Sequence, residues 1–140
     1  MFDGEELRAL IGQATAVTVN DYEAGLLSER TGWPEAQIAG KVQALIVTRG
    51  GQGSRLYRGG ETVDIPPVAI GKALDPTGCG DAYRGGLLYG LAQGWDWIDA
   101  ARLGSVLGAI KIEHQGAQNH PLARDEVARR FAQTYGRSPW

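Results

Sequence analysis

The sequence predicts an α/β fold. Three observations carry it: strands alternate with helices in the first 50 residues, a glycine-turned hairpin follows, and small-residue helices close the chain. Composition agrees: of 140 residues 43% are hydrophobic and 21% charged, too apolar for disorder and without the long apolar run of a membrane span. Glycine is the outlier at 21 residues, about twice the usual ~7%.

The elements follow in order. Asp3 to Gln13 places Leu7, Leu10 and Ile11 at helical spacing. Thr15 to Val19 is a β-branched run that ends at Asn20, a polar start signal for a helix over Asp21 to Glu29, which the Thr31-Gly32 turn closes. Pro34 suits the first turn of a helix running to about Val42. Ala44 to Thr48 is a short apolar run of the kind that fills a buried parallel strand. Ser54 to Arg58 and Glu61 to Ile65 flank Gly59-Gly60, a two-residue hairpin turn. An extended piece and a Gly-rich loop then feed a helix from about Ala82 to Gln93, stopped by Gly94. Asp96 or Asp99 starts a longer helix to about His114, whose Ala100, Ala101, Gly104, Ser105, Gly108 and Ala109 permit close packing. A last helix over Arg124 to Gln133 precedes a frayed tail.

Several function classes are disfavoured. A net charge of −2 argues against a polyanion binder, so nucleic acid is not an expected partner. The single cysteine, Cys79, forms no internal disulfide, and His114 and His120 lack zinc-ligand spacing. The N-terminus lacks signal-peptide regions, which predicts a cytoplasmic protein without membrane attachment.

The strongest chemical signal is DPTGCGDAYRGG, Asp75 to Gly86. Gly78 and Gly80, two apart at the start of a helix, let backbone N–H groups converge on an anion where the helix dipole is positive. Asp81 would repel a bound phosphate unless it takes a proton from the hydroxyl that attacks the phosphoryl group. The plainer alternative is that Asp81 caps the helix and the glycines only turn the chain. Asn20-Asp21-Tyr22-Glu23 reads as a capping box, and Thr48-Arg49-Gly50-Gly51-Gln52-Gly53 as a glycine turn into the hairpin. Trp95, Trp97 and Tyr89 read as packing at a helix corner, and Arg124, Arg129 and Arg130 as a solvated face.

DPTGCGDAYRGGLLYGL resembles the C-terminal signature of the PfkB/ribokinase family of carbohydrate and nucleoside kinases. The resemblance implies the C-terminal portion of a ribokinase-like three-layer α/β/α fold, lacking the N-terminal strands and the β lid. It implies Asp81 as catalytic base, with the amides of Gly78, Cys79 and Gly80 as the anion hole. Cys79 stands where the family often has alanine and offers its amide, not a nucleophilic thiol. Asn20 and Glu23 would help hold Mg²⁺ through water, and Thr48, Gly50 and Gly53 match a T-x-G-x-x-G nucleotide loop. Arg49 departs from the apolar residue common there. Ser105 to Ile112 and Gly116-Ala117-Gln118 resemble the adenine-proximal helix and loop, although small residues serve packing equally. A monovalent cation near the carbonyls of Asp75 and Thr77 occurs in some members.

The function implied is ATP-dependent transfer of the γ-phosphoryl group to a primary alcohol of a nucleoside or sugar, adenosine or ribose in type, with a homodimer in the full-length protein. Residues 1–140 would be the nucleotide-binding part, with most acceptor residues in an absent N-terminal part, so the isolated chain is expected to be inactive. The alternative is a non-catalytic nucleotide-binding or interaction fragment of a truncated kinase gene.

Overall fold

The computed structural model describes residues 4–49, 52–68, 79–113 and 124–139. The chain forms two compact units, Met1–Gly50 with Ser54–Asp64, and Gly51–Gly53 with Ile65–Trp140.

In the first unit, α1 (Gly4–Gln13) leads into β1 (Ala16–Asn20), α2 (Asp21–Thr31), a short α3 (Glu35–Ala39) and β2 (Ala44–Thr48). β1 and β2 pair in parallel from Ala16↔Ala44 to Asn20↔Thr48, so α2 and α3 form the crossover that a parallel pair requires. Ala44, Leu45, Ile46 and Val47 are all buried, which explains why β2 reads as a continuous apolar run and not as an alternation. β3 (Ser54–Arg58) pairs antiparallel with β2 and continues through a hairpin into β4 (Glu61–Ile65), giving the sheet order β1-β2-β3-β4. The turn residues Gly59 and Gly60 have φ of 52° and 83°, the left-handed pair that a tight hairpin of this twist demands.

The helices of this unit bury Ile11, Ala24 and Ile38 with Leu45 and Val47, and Val17, Val19, Leu27, Trp33 and Tyr57 pack around them. Val17, Val19, Leu45 and Val47 are two apart on each strand, so one face of the sheet receives the helices. Tyr57 donates a 2.6 Å hydrogen bond to Glu35, tying β3 to α3. Two helices differ in length from expectation. α2 runs two residues beyond Glu29 because Gly32, at φ 75°, closes it with its N–H on the Ser28 carbonyl at 2.9 Å. α3 stops at Ala39, short of Val42, and Pro34 is its N-cap.

The second unit holds α4 (Cys79–Ala92), α5 (Trp97–Glu113) and α6 (Arg124–Tyr135). Asp96 caps α5, accepting the Asp99 amide at 2.8 Å, which decides between the two candidate starts. α4 and α5 run antiparallel at backbone contact. A methyl on Gly86 would lie 2.8 Å from the Gly104 Cα, and one on Gly90 would lie 2.9 Å from the Ala100 Cα. These small residues therefore set the helix separation. Tyr89 and Trp95 meet edge to face with centroids 6.2 Å apart, the expected helix-corner packing. α5 and α6 share a core of Leu103, Val106, Ile110, Val127 and Phe131, which also takes Val68. α6 outruns its expected end at Gln133 and stops at Gly136, φ 83°, whose N–H reaches the Ala132 carbonyl at 2.9 Å. No helix among the described residues is long and apolar enough to cross a membrane.

Candidate functional site

In the first unit, three of the expected site residues gather at the carboxyl ends of two parallel strands. Asn20 ends β1, Thr48 ends β2 directly opposite it, and Glu23 lies in the first turn of α2. Ligands of open α/β sheets bind at such strand ends. The capping box is formed in full: Asn20 Oδ1 accepts the Glu23 amide at 2.7 Å, and Glu23 Oε1 accepts the Asn20 amide at 2.9 Å. Thr48 donates its hydroxyl to the Val19 carbonyl at 3.4 Å, linking the strand ends. Asn20 and Glu23 are both exposed, and each oxygen keeps a lone pair after its capping bond. A hard, oxygen-only pair of this kind suits Mg²⁺ held through its own waters. No group of three or more His, Cys, Asp or Glu side chains that could hold a metal ion occurs among the described residues.

The second unit carries the Gly-Asp string. α4 begins at Cys79, three residues earlier than the expected Ala82, so Cys79, Gly80 and Asp81 occupy its first turn and do not form a loop before it. Asp81 is consequently no N-cap. Its side chain is 88% exposed and meets Arg84 Nη1 at 3.3 Å, one turn on. The first-turn amides have no intrahelical acceptor, and they carry the positive end of the helix dipole. Gly78, and with it Asp75 and Thr77, lies outside the described residues, as do Gly50 of the expected nucleotide loop and Gly116-Ala117-Gln118 of the expected adenine-proximal loop.

Gly53, the last residue of that loop, has φ 88°. A methyl there would sit on the Ile65 carbonyl oxygen and 2.9 Å from Pro67 N, so only glycine lets the loop rest on this segment. Ser105 is half-buried on α5 and donates to the Ala101 carbonyl at 3.0 Å.

Sequence reasoning missed a cluster beside Ser105. Tyr135, at the end of α6, donates its hydroxyl to the Pro66 carbonyl at 2.9 Å. Its ring packs on Phe131 at 5.1 Å and receives the Arg102 guanidinium at 5.2 Å. Asp99 holds Arg102 at 3.2 Å and also pairs with Arg137. Burial raises the Tyr135 phenol above its ordinary value, opposed by its hydrogen bond with Ser105 and the charge of Arg102. The signal for it was present: Val127, Phe131 and Tyr135 are spaced four apart, one face of a helix.

Comparison with known proteins identifies the family of the chain. The profile of the pfkB family carbohydrate kinase matches residues 3–124. The nucleoside kinase of Methanocaldococcus jannaschii is 30% identical over 130 residues, 93% of this chain and 43% of that protein. The inositol 3-kinase of Arabidopsis thaliana is 40% identical over 94 residues, 64% of this chain and 26% of that protein. Among solved structures, the nucleoside kinase of Burkholderia thailandensis in complex with inosine matches with a TM-score of 0.93 at 51% identity, over 99% of this chain and 46% of that one. The same kinase solved in complex with ADP-inosine gives the same TM-score of 0.93. The chain thus spans less than half the length of the relatives it matches.

Proposed function

Because the chain belongs to the pfkB family of carbohydrate kinases, we propose that it supplies the nucleotide-binding and base-bearing part of an ATP-dependent phosphotransferase. The observation that carries this reading is Asp81, an exposed carboxylate in the first turn of α4, where free helix amides favour a phosphate. The pairing of a carboxylate with an anion site is self-defeating unless the carboxylate handles a proton. Asp81 takes the proton of the acceptor hydroxyl as that oxygen bonds to the γ-phosphorus and the bond to the β-phosphate oxygen breaks. The amides of Gly78, Cys79 and Gly80 receive the charge that spreads over the transferring group. Asn20 and Glu23 hold the water shell of Mg²⁺, which when bound neutralises phosphate charge. Thr48, Gly50, Gly53 and Ser105 line the nucleotide.

The acceptor is a primary alcohol of a nucleoside, of the adenosine type, in preference to ribose or another free sugar. The strong likeness to a kinase solved with inosine supports that choice. ATP as donor is supported by the same kinase's complex with ADP-inosine. Residues 1–140 act as the nucleotide-binding part, with the acceptor bound mostly by residues outside it, and by themselves turn over little. A second reading is a nucleotide-binding or interaction fragment without catalysis, which would use the same phosphate and nucleotide contacts and lack only the transfer step.

Calorimetric titration of the chain with ADP, with and without Mg²⁺, tests the shared part of both. Binding in the millimolar range or tighter, strengthened by Mg²⁺, is expected, and no binding overturns both. Phosphorylation of adenosine or ribose by the 140-residue chain at an ordinary enzymatic rate would refute its expected inactivity.

A further inference from the structure

The proposed base does not stand alone on α4. Arg84, one turn on, brings its Nη1 to 3.3 Å from Asp81 Oδ1. Long side chains on a helix lean back toward its N-terminus, and this one reaches so far that a methyl on Gly80 would lie 3.7 Å from the same nitrogen. The guanidinium therefore lies over the first turn of α4. Folding does not explain the pair. With the Arg84 side chain 45% and that of Asp81 88% exposed, it contributes little to stability, and a cation at the positive end of a helix dipole is misplaced unless an anion accompanies it. Among the described residues Asp81 is that anion.

We propose that Arg84 is a further catalytic residue of the transfer step, holding Asp81 before transfer and the γ-phosphoryl oxygens during it. This deepens the reading of Asp81 as the base and rests on it. A carboxylate that takes the hydroxyl proton lies within hydrogen-bond reach of the attacking oxygen, and that oxygen bonds to the γ-phosphorus. In-line displacement puts the leaving β-phosphate oxygen on the opposite side of that phosphorus. A guanidinium in contact with the base is therefore beside the γ-phosphoryl group and away from the rest of the nucleotide. As the O–H bond breaks, the proton passes to Asp81 and cancels its charge. The acceptor oxygen bonds to phosphorus, and the electron pair of the broken bond leaves on ADP. Arg84 keeps its charge throughout, and it loses its partner just as charge spreads over the phosphoryl oxygens. Its five N–H donors let it engage those oxygens before it releases the carboxylate, which a single ammonium cannot do.

The test titrates the 140-residue chain with Mg²⁺-ATP and Mg²⁺-ADP, which differ by the γ-phosphate alone. Arg84→Gln removes the charge and keeps a good helix former. ATP affinity is expected to fall by about tenfold, the worth of a hydrogen bond to a charged group, with ADP affinity unchanged within about twofold. Arg84→Lys should recover part of the loss. Asp81→Asn frees the guanidinium and should raise ATP affinity, and that rise should be smaller by about twofold or more when combined with Arg84→Gln. The melting temperature of Arg84→Gln should stay within about 2 °C, as for other surface pairs. ATP affinity untouched by Arg84→Gln, an equal loss for ATP and ADP, or additive effects of the two substitutions overturns the role of Arg84 while the nucleotide site stands. A melting temperature that falls in step with the affinity assigns the pair a structural role instead. An unsubstituted chain that binds neither nucleotide overturns the reading on which the proposal rests.

Discussion

Replacing Gly86 by alanine adds one methyl group to the inner face of α4, and the structure fixes what it meets. The new Cβ would lie 2.8 Å from the Gly104 Cα, 2.9 Å from its N and 3.1 Å from the Leu103 carbonyl carbon. Ordinary contact begins at 3.4 Å, so the two helices must separate by about 0.6 Å. All three atoms are backbone, and no side chain can swing aside. Overpacking of this kind costs ~1–3 kcal/mol, against which alanine regains ~1 kcal/mol of helix propensity. Gly85, the preceding residue, is the internal control: it is exposed and a methyl there meets nothing within 4 Å. Gly85→Ala collects the propensity gain alone. The propensity term cancels between the variants, leaving Gly86→Ala less stable than Gly85→Ala by ~1–3 kcal/mol. For a chain of this length that is a Tm difference of about 3–10 °C, read by differential scanning calorimetry. Equal melting temperatures would refute the claim that glycine sets the helix separation. The same displacement moves Asp81, the proposed base, about one and a half turns upstream on α4; if Asp81 has that role, a misplacement of ~1 Å can cost about 10²-fold in rate.

The remaining predictions probe the other parts of the site. Glu23→Gln preserves the capping acceptor, so Tm should stay within about 2 °C, while the Mg²⁺ enhancement of ADP binding weakens; an unchanged enhancement removes Glu23 from the metal site. Asn20→Ala, which deletes the cap, should instead cost ~1 kcal/mol of stability by denaturant titration. Gly53→Ala combines a φ of 88° with a backbone conflict at the Ile65 carbonyl, and a loss of ~2–4 kcal/mol is expected in the same titration. The Tyr135 phenol is raised above 10.0 in the folded chain, so its contribution is complete below about pH 10 and is lost as pH rises through the folded value. Above pH 10 the melting temperature of the unsubstituted chain should therefore fall more steeply than that of Tyr135→Phe; parallel curves contradict this sign.

Much of the fold was legible because local chemistry and tertiary context agree. The apolar Ala44 to Thr48 run is a buried central strand, and Gly59-Gly60 supplies the two left-handed residues that its hairpin needs. Asn20-x-x-Glu23 forms the capping box that its spacing announces. The start of α4 was misplaced by three residues because two glycines and an aspartate read as loop chemistry, whereas a first helical turn tolerates glycine and welcomes an acidic residue. Sequence alone also missed the grip on Pro66. Tyr135 and Pro66 are 69 residues apart, and only folding of the second unit joins them. Ser105 donates its hydroxyl to the Ala101 carbonyl within its own helix, a contact that its small-residue surroundings in the sequence do not announce.

The central claim is that Asp81 moves a proton, and substituting asparagine tests it with little change of shape. The side chain is 88% exposed and its ion pair with Arg84 lies on the surface, so folding should be unaffected. The measurement is phosphoryl transfer by a hybrid in which residues 1–140 replace the matching part of the Burkholderia nucleoside kinase, with and without Asp81→Asn. The account predicts a fall in kcat of about 10²–10⁴-fold for the asparagine variant, with ADP affinity unchanged. An asparagine hybrid that turns over at the unsubstituted rate would contradict it.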